Sequence, residues 1–434
     1  MFKNTIFYFA AIIFVAACSP KQTESPDINK LAEEYIRLGL DIGQYDGSFV
    51  DAYYGPDSLK PKTKADTAFP KQKFLDEVTA LSARLQKITS DTSAAVSARA
   101  KWLLAQLKAY ERRIKIFSGE YADFDTEAKD LFGVTAPKYD EKTFQQKLDE
   151  LDKILPGNGS IFDRFQQLAN RFIIPKNKID TVFRTSILEC RKRTLAHFTL
   201  PGQERFELEL VNNKPWSGYN WYKGNYNSLI QINTDINIFI DRAIDVGSHE
   251  SYPGHHVYNM LLEENLYKGK GLIEISMYPL FSPQSFIAEG SGNYGIQLAF
   301  PGDDRIQFSK EVLLPLAGLD TTGITAYFRA TAIRGQLNYV RNEVARGLIN
   351  GTMNETQALE WLMKYGLLNE ETAKKSIDFI KVNRTYVINY NYGLEAVEAY
   401  VNKKAGTNAT EDQIWKAFYQ LLSEQIMTTD IVNQ

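Results

Sequence analysis

Apolar positions recur at helical spacing through the first part of the chain. Leu31, Tyr35, Leu38 and Leu40 open the series, and Phe74, Val78, Leu81 and Leu85 follow at steps of four, three and four. Such steps keep one face of a helix apolar. The stretches 98–117, 142–154 and 160–173 continue in the same style. Turn residues separate them, at Tyr54-Gly55-Pro56-Asp57 and at Pro156-Gly157-Asn158-Gly159. The character changes at Pro201-Gly202. Residues 205–235 are rich in Trp, Tyr, Asn and Gly, and Leu229–Asn233 reads as a strand. Thr234 or Asp235 offers an N-cap, and Ile236, Phe239, Ile240, Ala243, Ile244 and Gly247 form one helical stripe behind it. After Pro301 helical spacing returns, at 328–348 and 355–365. The expected fold class is mainly α (α+β), with a small β element feeding one helix. Two regions, 29–200 and 201–434, are expected to form one compact unit. No repeat of fixed period is present.

Composition narrows the function. The chain has 434 residues, 44% hydrophobic and 12% aromatic, which is too apolar for a disordered protein. Its 50 basic and 53 acidic residues leave a net charge of -3, so no basic excess points to nucleic acid. Two cysteines exclude a disulfide scaffold and a four-cysteine metal site. Residues 1–17 place one Lys before an apolar run that is too short to span a bilayer and suits a signal peptide. The run ends Val15-Ala16-Ala17-Cys18, which resembles the bacterial lipobox, where the Cys is lipidated. Residues 18–28, small and polar, read as a tether. This places the protein in the bacterial cell envelope, at a membrane only through its lipid. Cys190 is expected to be a structural thiol.

Three of the four histidines fall in His249-Glu250-Ser251-Tyr252-Pro253-Gly254-His255-His256. Imidazoles and a carboxylate are the ligands zinc prefers. The familiar helical motif separates two His by four residues, with Glu after the first as general base. Here the second His stands at i+6 or i+7, which an unbroken helix would turn away or carry two turns off, about 10 Å. Pro253-Gly254 should break the helix and swing the chain back. A third ligand should lie downstream. Glu289, behind Phe286-Ile287-Ala288, is the best candidate, since a buried carboxylate needs a partner. Glu263, Glu264 and Glu274 compete. Glu250 would be the base rather than a ligand.

HESYPGHH resembles the His-Glu-x-x-Pro-Gly-His-His signature of the domain of unknown function 885 family, grouped with the gluzincin-type metallopeptidases. FIAEGSGNYG and NRTYVINYNYG (383–393) are similar to two further segments of that family. The resemblance implies a large helical, zincin-like metallopeptidase fold holding one zinc ion. It implies His249, His255 and Glu289 as ligands and Glu250 as base, with His256 beside the ligands. Tyr390 matches a family tyrosine suited to an oxyanion, with a core aromatic as the alternative; Arg384 is expected in a structural ion pair, with a substrate carboxylate as the alternative. Two positions depart from the family: Ser291 stands where a Trp is usual, and Gly347-Leu348-Ile349 lacks a His.

The function expected is a zinc-dependent peptidase or amide hydrolase. One alternative is a non-catalytic lipoprotein binding peptides or glycans through Trp216–Tyr226. Another is a closed structural zinc site with His256 as fourth ligand. The strand at Leu229–Asn233 would hold an extended peptide along its edge.

Overall fold

The computed structural model describes residues 27–90, 93–214 and 216–432. The leader 1–17, Cys18 and the tether as far as Pro26 lie outside them. The molecule is mainly helical, and the apolar stripes explain why. Phe74, Val78, Leu81 and Leu85 are all buried along the helix Lys71–Gln86. Leu31, Tyr35 and Leu38 do the same for Ile28–Gly43. Residues 98–117 fall in the helix Ala94–Phe117. No described helix is long and apolar enough to cross a membrane.

Among the described residues, five strands form two small sheets. They are β1 (Val50–Tyr53), β2 (Arg205–Val211), β3 (Gly218–Tyr222), β4 (Asn227–Asn233) and β5 (Met277–Pro279). β1 and β5 pair antiparallel, so residues near 50 meet residues near 278. The other sheet runs β2-β4-β3, with β4 parallel to β2 and antiparallel to β3. β4 is therefore central, and both its edges are used. The expectation that Leu229–Asn233 offers an edge is corrected: the edge beside the histidines belongs to β3.

The helix after β4 also starts later than its stripe implies, at Ile240. Residues 236–239 stay out of the helix because Ile174 N donates to Ile238 O and Ile173 bridges Phe239. Asp235 is already engaged by Asn212 and the Asn213 amide, and Ile236 remains exposed.

Buried ion pairs join distant parts of the chain. Arg99 grips Glu274 through Nε and Nη2 at 2.8 and 2.7 Å, and Arg113 grips Asp46 at 2.6 and 3.0 Å. Cys190 is fully enclosed in the helix Ile179–Leu195, where burial pushes its thiol up to about 12.

Breaking a buried pair strands a charge and costs about 3–5 kcal/mol, whereas replacing both partners with apolar groups is far milder. Glu274→Ala should therefore lower unfolding free energy by about 3 kcal/mol in urea titration. The double variant Arg99→Met, Glu274→Met should recover most of that loss.

Candidate metal centre

The helix Ile240–Glu250 delivers His249 and Glu250 at its last turn. The chain then doubles back over that helix end. A Cβ at position 254 would lie 1.9 Å from His249 O and 2.4 Å from Ser248 O, so only glycine fits. A second helix starts at once, over His255–Leu262. The return sets the His255 ring across the His249 ring, with centroids 4.5 Å apart at 79°. The helix Pro283–Ala299 supplies Glu289. One turn on, Gly292 clears the His249 ring, which a Cβ there would approach to 2.8 Å.

The structure brings together His249, His255 and Glu289, with one ligand atom from each within 4.8 Å of the others. His249 Nε2 is 3.2 Å from Glu289 Oε2, and His255 Nε2 is 3.8 Å from Oε1. Donors around tetrahedral zinc stand roughly 3.3 Å apart. Both imidazole side chains keep some exposure, 13% and 14%, so the group opens to solvent on one side.

The hydrogen bonds behind the group determine its protonation. Asn293 Nδ2 donates to Tyr390 O at 2.7 Å, so its Oδ1 faces His249 Nδ1 at 3.0 Å. That nitrogen must then carry the proton, and Nε2 presents its lone pair to a carboxylate oxygen. Glu289 Oε2 is buried and accepts no hydrogen bond, while Oε1 accepts one from Tyr386 OH at 2.8 Å. A proton on His249 Nε2 would relieve one contact. Burial disfavours that proton, but Glu289 and Glu250 outweigh it and raise the His249 pKa. His255 offers no such relief, since burial and the neighbouring His249 push it down to about 4. A cation satisfies all three donors at once, and the site fits one.

Glu250 stands beside this group but outside the ligand set. Among the described residues its carboxylate accepts no hydrogen bond, and an added Cβ on Gly218 would lie 3.3 Å from Oε1. Burial raises its pKa to about 7; His249 opposes this, while Glu289 and Asp51 add to it. Asn220 of β3 donates to the Glu250 carbonyl at 2.6 Å, which ties the strand to the helix end. Asp51 of β1 accepts a hydrogen bond from Tyr219 of β3. Burial lifts Asp51 to about 6 against that bond. Tyr390 is 39% exposed and stacks edge-on against Tyr386 at 5.8 Å. The enclosing protein and the charges of Glu289 and Glu250 keep its hydroxyl protonated.

Other expectations are redirected. His256 is fully buried, and both its nitrogens are engaged, by Ser228 Oγ at 2.8 Å and Glu204 Oε2 at 3.1 Å. It cannot complete a closed four-ligand site. Arg384 binds Glu127 at 2.7 and 2.8 Å, so its guanidinium is committed to holding two helices together and not to a substrate. Glu263 is buried rather than solvated, locked by Tyr222, Asn225 N and Lys268. Glu274 belongs to Arg99. Reasoning from sequence missed Asn293, Tyr386 and Asp51. Asn293 carried a signal, since it stands four residues after Glu289 on the same helical face. Asp51 carried none, because only β1–β5 pairing brings it here.

No protein-family model matches the chain, and no curated protein does. Solved structures are similar to it. A candidate lipoprotein from Colwellia psychrerythraea matches 92% of this chain and 77% of its own, at 12% identity and TM-score 0.50. A candidate lipoprotein of unknown function from Shewanella oneidensis matches over 82% and 73%, at 13% identity and TM-score 0.44. An M32 carboxypeptidase from Deinococcus radiodurans R1 matches over 94% of each chain, at 11% identity and TM-score 0.46. At 12% identity the likeness to the first of these is one of fold alone.

Partners that orient a ligand typically contribute 10- to 100-fold in metal affinity. Asn293→Ala should weaken zinc binding by roughly that factor in competition with a chelating dye, with the thermal midpoint of the metal-free protein shifted little.

Proposed function

We propose that the protein is a zinc-dependent peptidase, tethered in a bacterial cell envelope through lipidated Cys18 and allied to the HExxPGHH metallopeptidases it resembles. The observation that carries this reading is the convergence of His249, His255 and Glu289, one ligand atom from each within 4.8 Å of the others, with His249 Nε2 3.2 Å from the buried Oε2 of Glu289. With His256 engaged elsewhere, three protein ligands leave a coordination position open, as catalytic sites require.

His249, His255 and Glu289 would hold the ion, which supplies Lewis acidity toward a scissile carbonyl and lowers the pKa of water. Glu250 would take the proton from the attacking water and hand it to the leaving amine. Asn293 keeps Nδ1 of His249 protonated and Nε2 free, and Tyr386 holds the Glu289 carboxylate in place. The Tyr390 hydroxyl, kept protonated, would donate to the oxyanion. β3 begins beside Glu250 and pairs only with β4 among the described residues, so its outer edge can take an extended peptide. The aromatic row of Trp216, Tyr219 and Trp221, with ring centroids 5.5 and 4.5 Å apart, leads from Asp51 along that strand and would add stacking contact.

The test is elemental analysis of a soluble chain starting after Cys18, beside peptide-library cleavage. About one zinc per chain is expected, lost in His255→Ala. Glu250→Gln should keep the zinc and lose roughly 10²- to 10⁴-fold in kcat. Absence of bound metal after zinc is supplied at neutral pH overturns the reading.

A further inference from the structure

The buried carboxylates of Asp46, Glu127, Glu204, Glu263 and Glu274 each meet an arginine or a lysine. Asp51 does not. Among the described residues it has no ion pair, and its side-chain hydrogen bond comes from the Tyr219 hydroxyl. Asp241 is also held by a tyrosine, Tyr327, but it is closed from solvent, whereas Asp51 stays partly exposed. A carboxylate drawn out of water without a cation costs stability, so its persistence at an open position calls for a ligand.

The backbone singles Asp51 out. Val50 pairs with Pro279 and Ala52 with Tyr278, so Asp51 is the extra residue of a bulge in β1. A bulge leaves that residue unpaired in the ladder and redirects its side chain. Regular bonds hold the strand on both sides, from Leu280 N to Phe49 O at 3.1 Å and from Tyr54 N to Ser276 O at 2.9 Å.

Two routes of contact lead from Asp51 to the metal centre. On the first, Tyr219 stands in β3 between two residues that meet Glu250. A Cβ on Gly218 would lie 3.3 Å from Glu250 Oε1, and Asn220 donates to the Glu250 carbonyl at 2.6 Å. On the second, β5, the partner of β1, leads within two residues to Phe281. The Phe281 ring meets Tyr386 edge-on at 5.6 Å, and Tyr386 donates to Glu289. The charges agree with this placement. Burial lifts Asp51 to about 6 against the Tyr219 bond, Glu289 adds to the rise, and Asp51 in turn helps to raise Glu250.

The surroundings suit a cation. Tyr219 is the middle ring of the aromatic row, with Trp216 at 5.5 Å and Trp221 at 4.5 Å. Lys214 and Lys223 lie over the two outer rings, 6.0 and 5.5 Å from their centroids. Neither lysine pairs with Asp51. The middle ring and its carboxylate are left for an incoming charge.

Resting on the peptidase reading, we propose that Asp51, held by Tyr219, is the receptor for a substrate ammonium group beside the metal centre, so that the enzyme selects peptides with a positive charge close to the scissile bond. An ammonium donates charge-assisted hydrogen bonds to the carboxylate oxygen that Tyr219 leaves free, and it offsets the repulsion between Asp51 and Glu289. A free N-terminus and a lysine side chain offer the same chemistry.

The test uses the zinc-loaded enzyme and three peptide libraries with identical C-termini: a lysine-free library with free N-termini, the same library acetylated, and an acetylated library containing lysine. Initial rates at low substrate report kcat/KM. The free-amine library should exceed its acetylated form by roughly 10- to 100-fold, the range of a charge-assisted bond. Asp51→Asn should bring that ratio close to one, and Asp51→Glu should keep part of it, with zinc content unchanged in both. Recovery by the lysine-containing library assigns the receptor to any ammonium; no recovery assigns it to the α-ammonium. Calorimetry with tetra-alanine amide and its acetylated form on zinc-loaded Glu250→Gln should show the same ranking without turnover. A ratio near one in the parent enzyme, or a ratio that Asp51→Asn leaves unchanged, overturns the receptor and leaves the peptidase standing. Zinc-loaded protein that cleaves none of the libraries overturns both.

Discussion

A carboxylate enclosed by protein must be met by positive charge, and the two imidazoles facing Glu289 cannot both provide it. His249 is favoured as the cation by Glu289 and Glu250, whereas burial and the neighbouring His249 keep His255 neutral. Much of the surrounding architecture serves this unresolved contact. The helix Pro283–Ala299 brings both Glu289 and Asn293, and the segment 386–390 supplies the Tyr386 hydroxyl and the Tyr390 carbonyl that hold them. The reversal at Gly254 exists only because the chain there has no side chain. A cation at the focus would convert a repulsion into the strongest local attraction.

Charge is distributed unevenly around that focus. Asp51, Glu250 and Glu289 gather on one side, and their mutual repulsion with burial raises the first two. The closed pairs Arg99–Glu274, Arg113–Asp46 and Arg384–Glu127 act as rivets between remote segments.

Much of this was legible in the sequence. Helical stripes such as Phe74–Leu85 needed only their own periodicity, since each buries the face it displays. The histidine pair was legible because Pro253-Gly254 forbids a continuous helix, leaving a reversal as the way to use both rings. Glu289 was legible from its apolar neighbours. What escaped depends on residues far apart in the chain. Asp51 reaches the site through a strand pairing across more than two hundred residues. Glu263 looked solvated because its partner Tyr222 is remote, whereas the ion pair expected for Arg384 was legible without its partner Glu127 being so. The central position of β4 was hidden because β2, an ordinary segment in isolation, pairs with it in parallel.

Cys190 gives the fold a built-in reporter. A chain starting after Cys18 carries one thiol, enclosed in the helix Ile179–Leu195 and packed toward Ser186 and Ser248. Alkylating reagents need a thiolate and a path to it, and the folded state withholds both. Modification would therefore count openings of the interior one molecule at a time, and ions that bind the neighbouring helix Ile240–Glu250 should slow the clock.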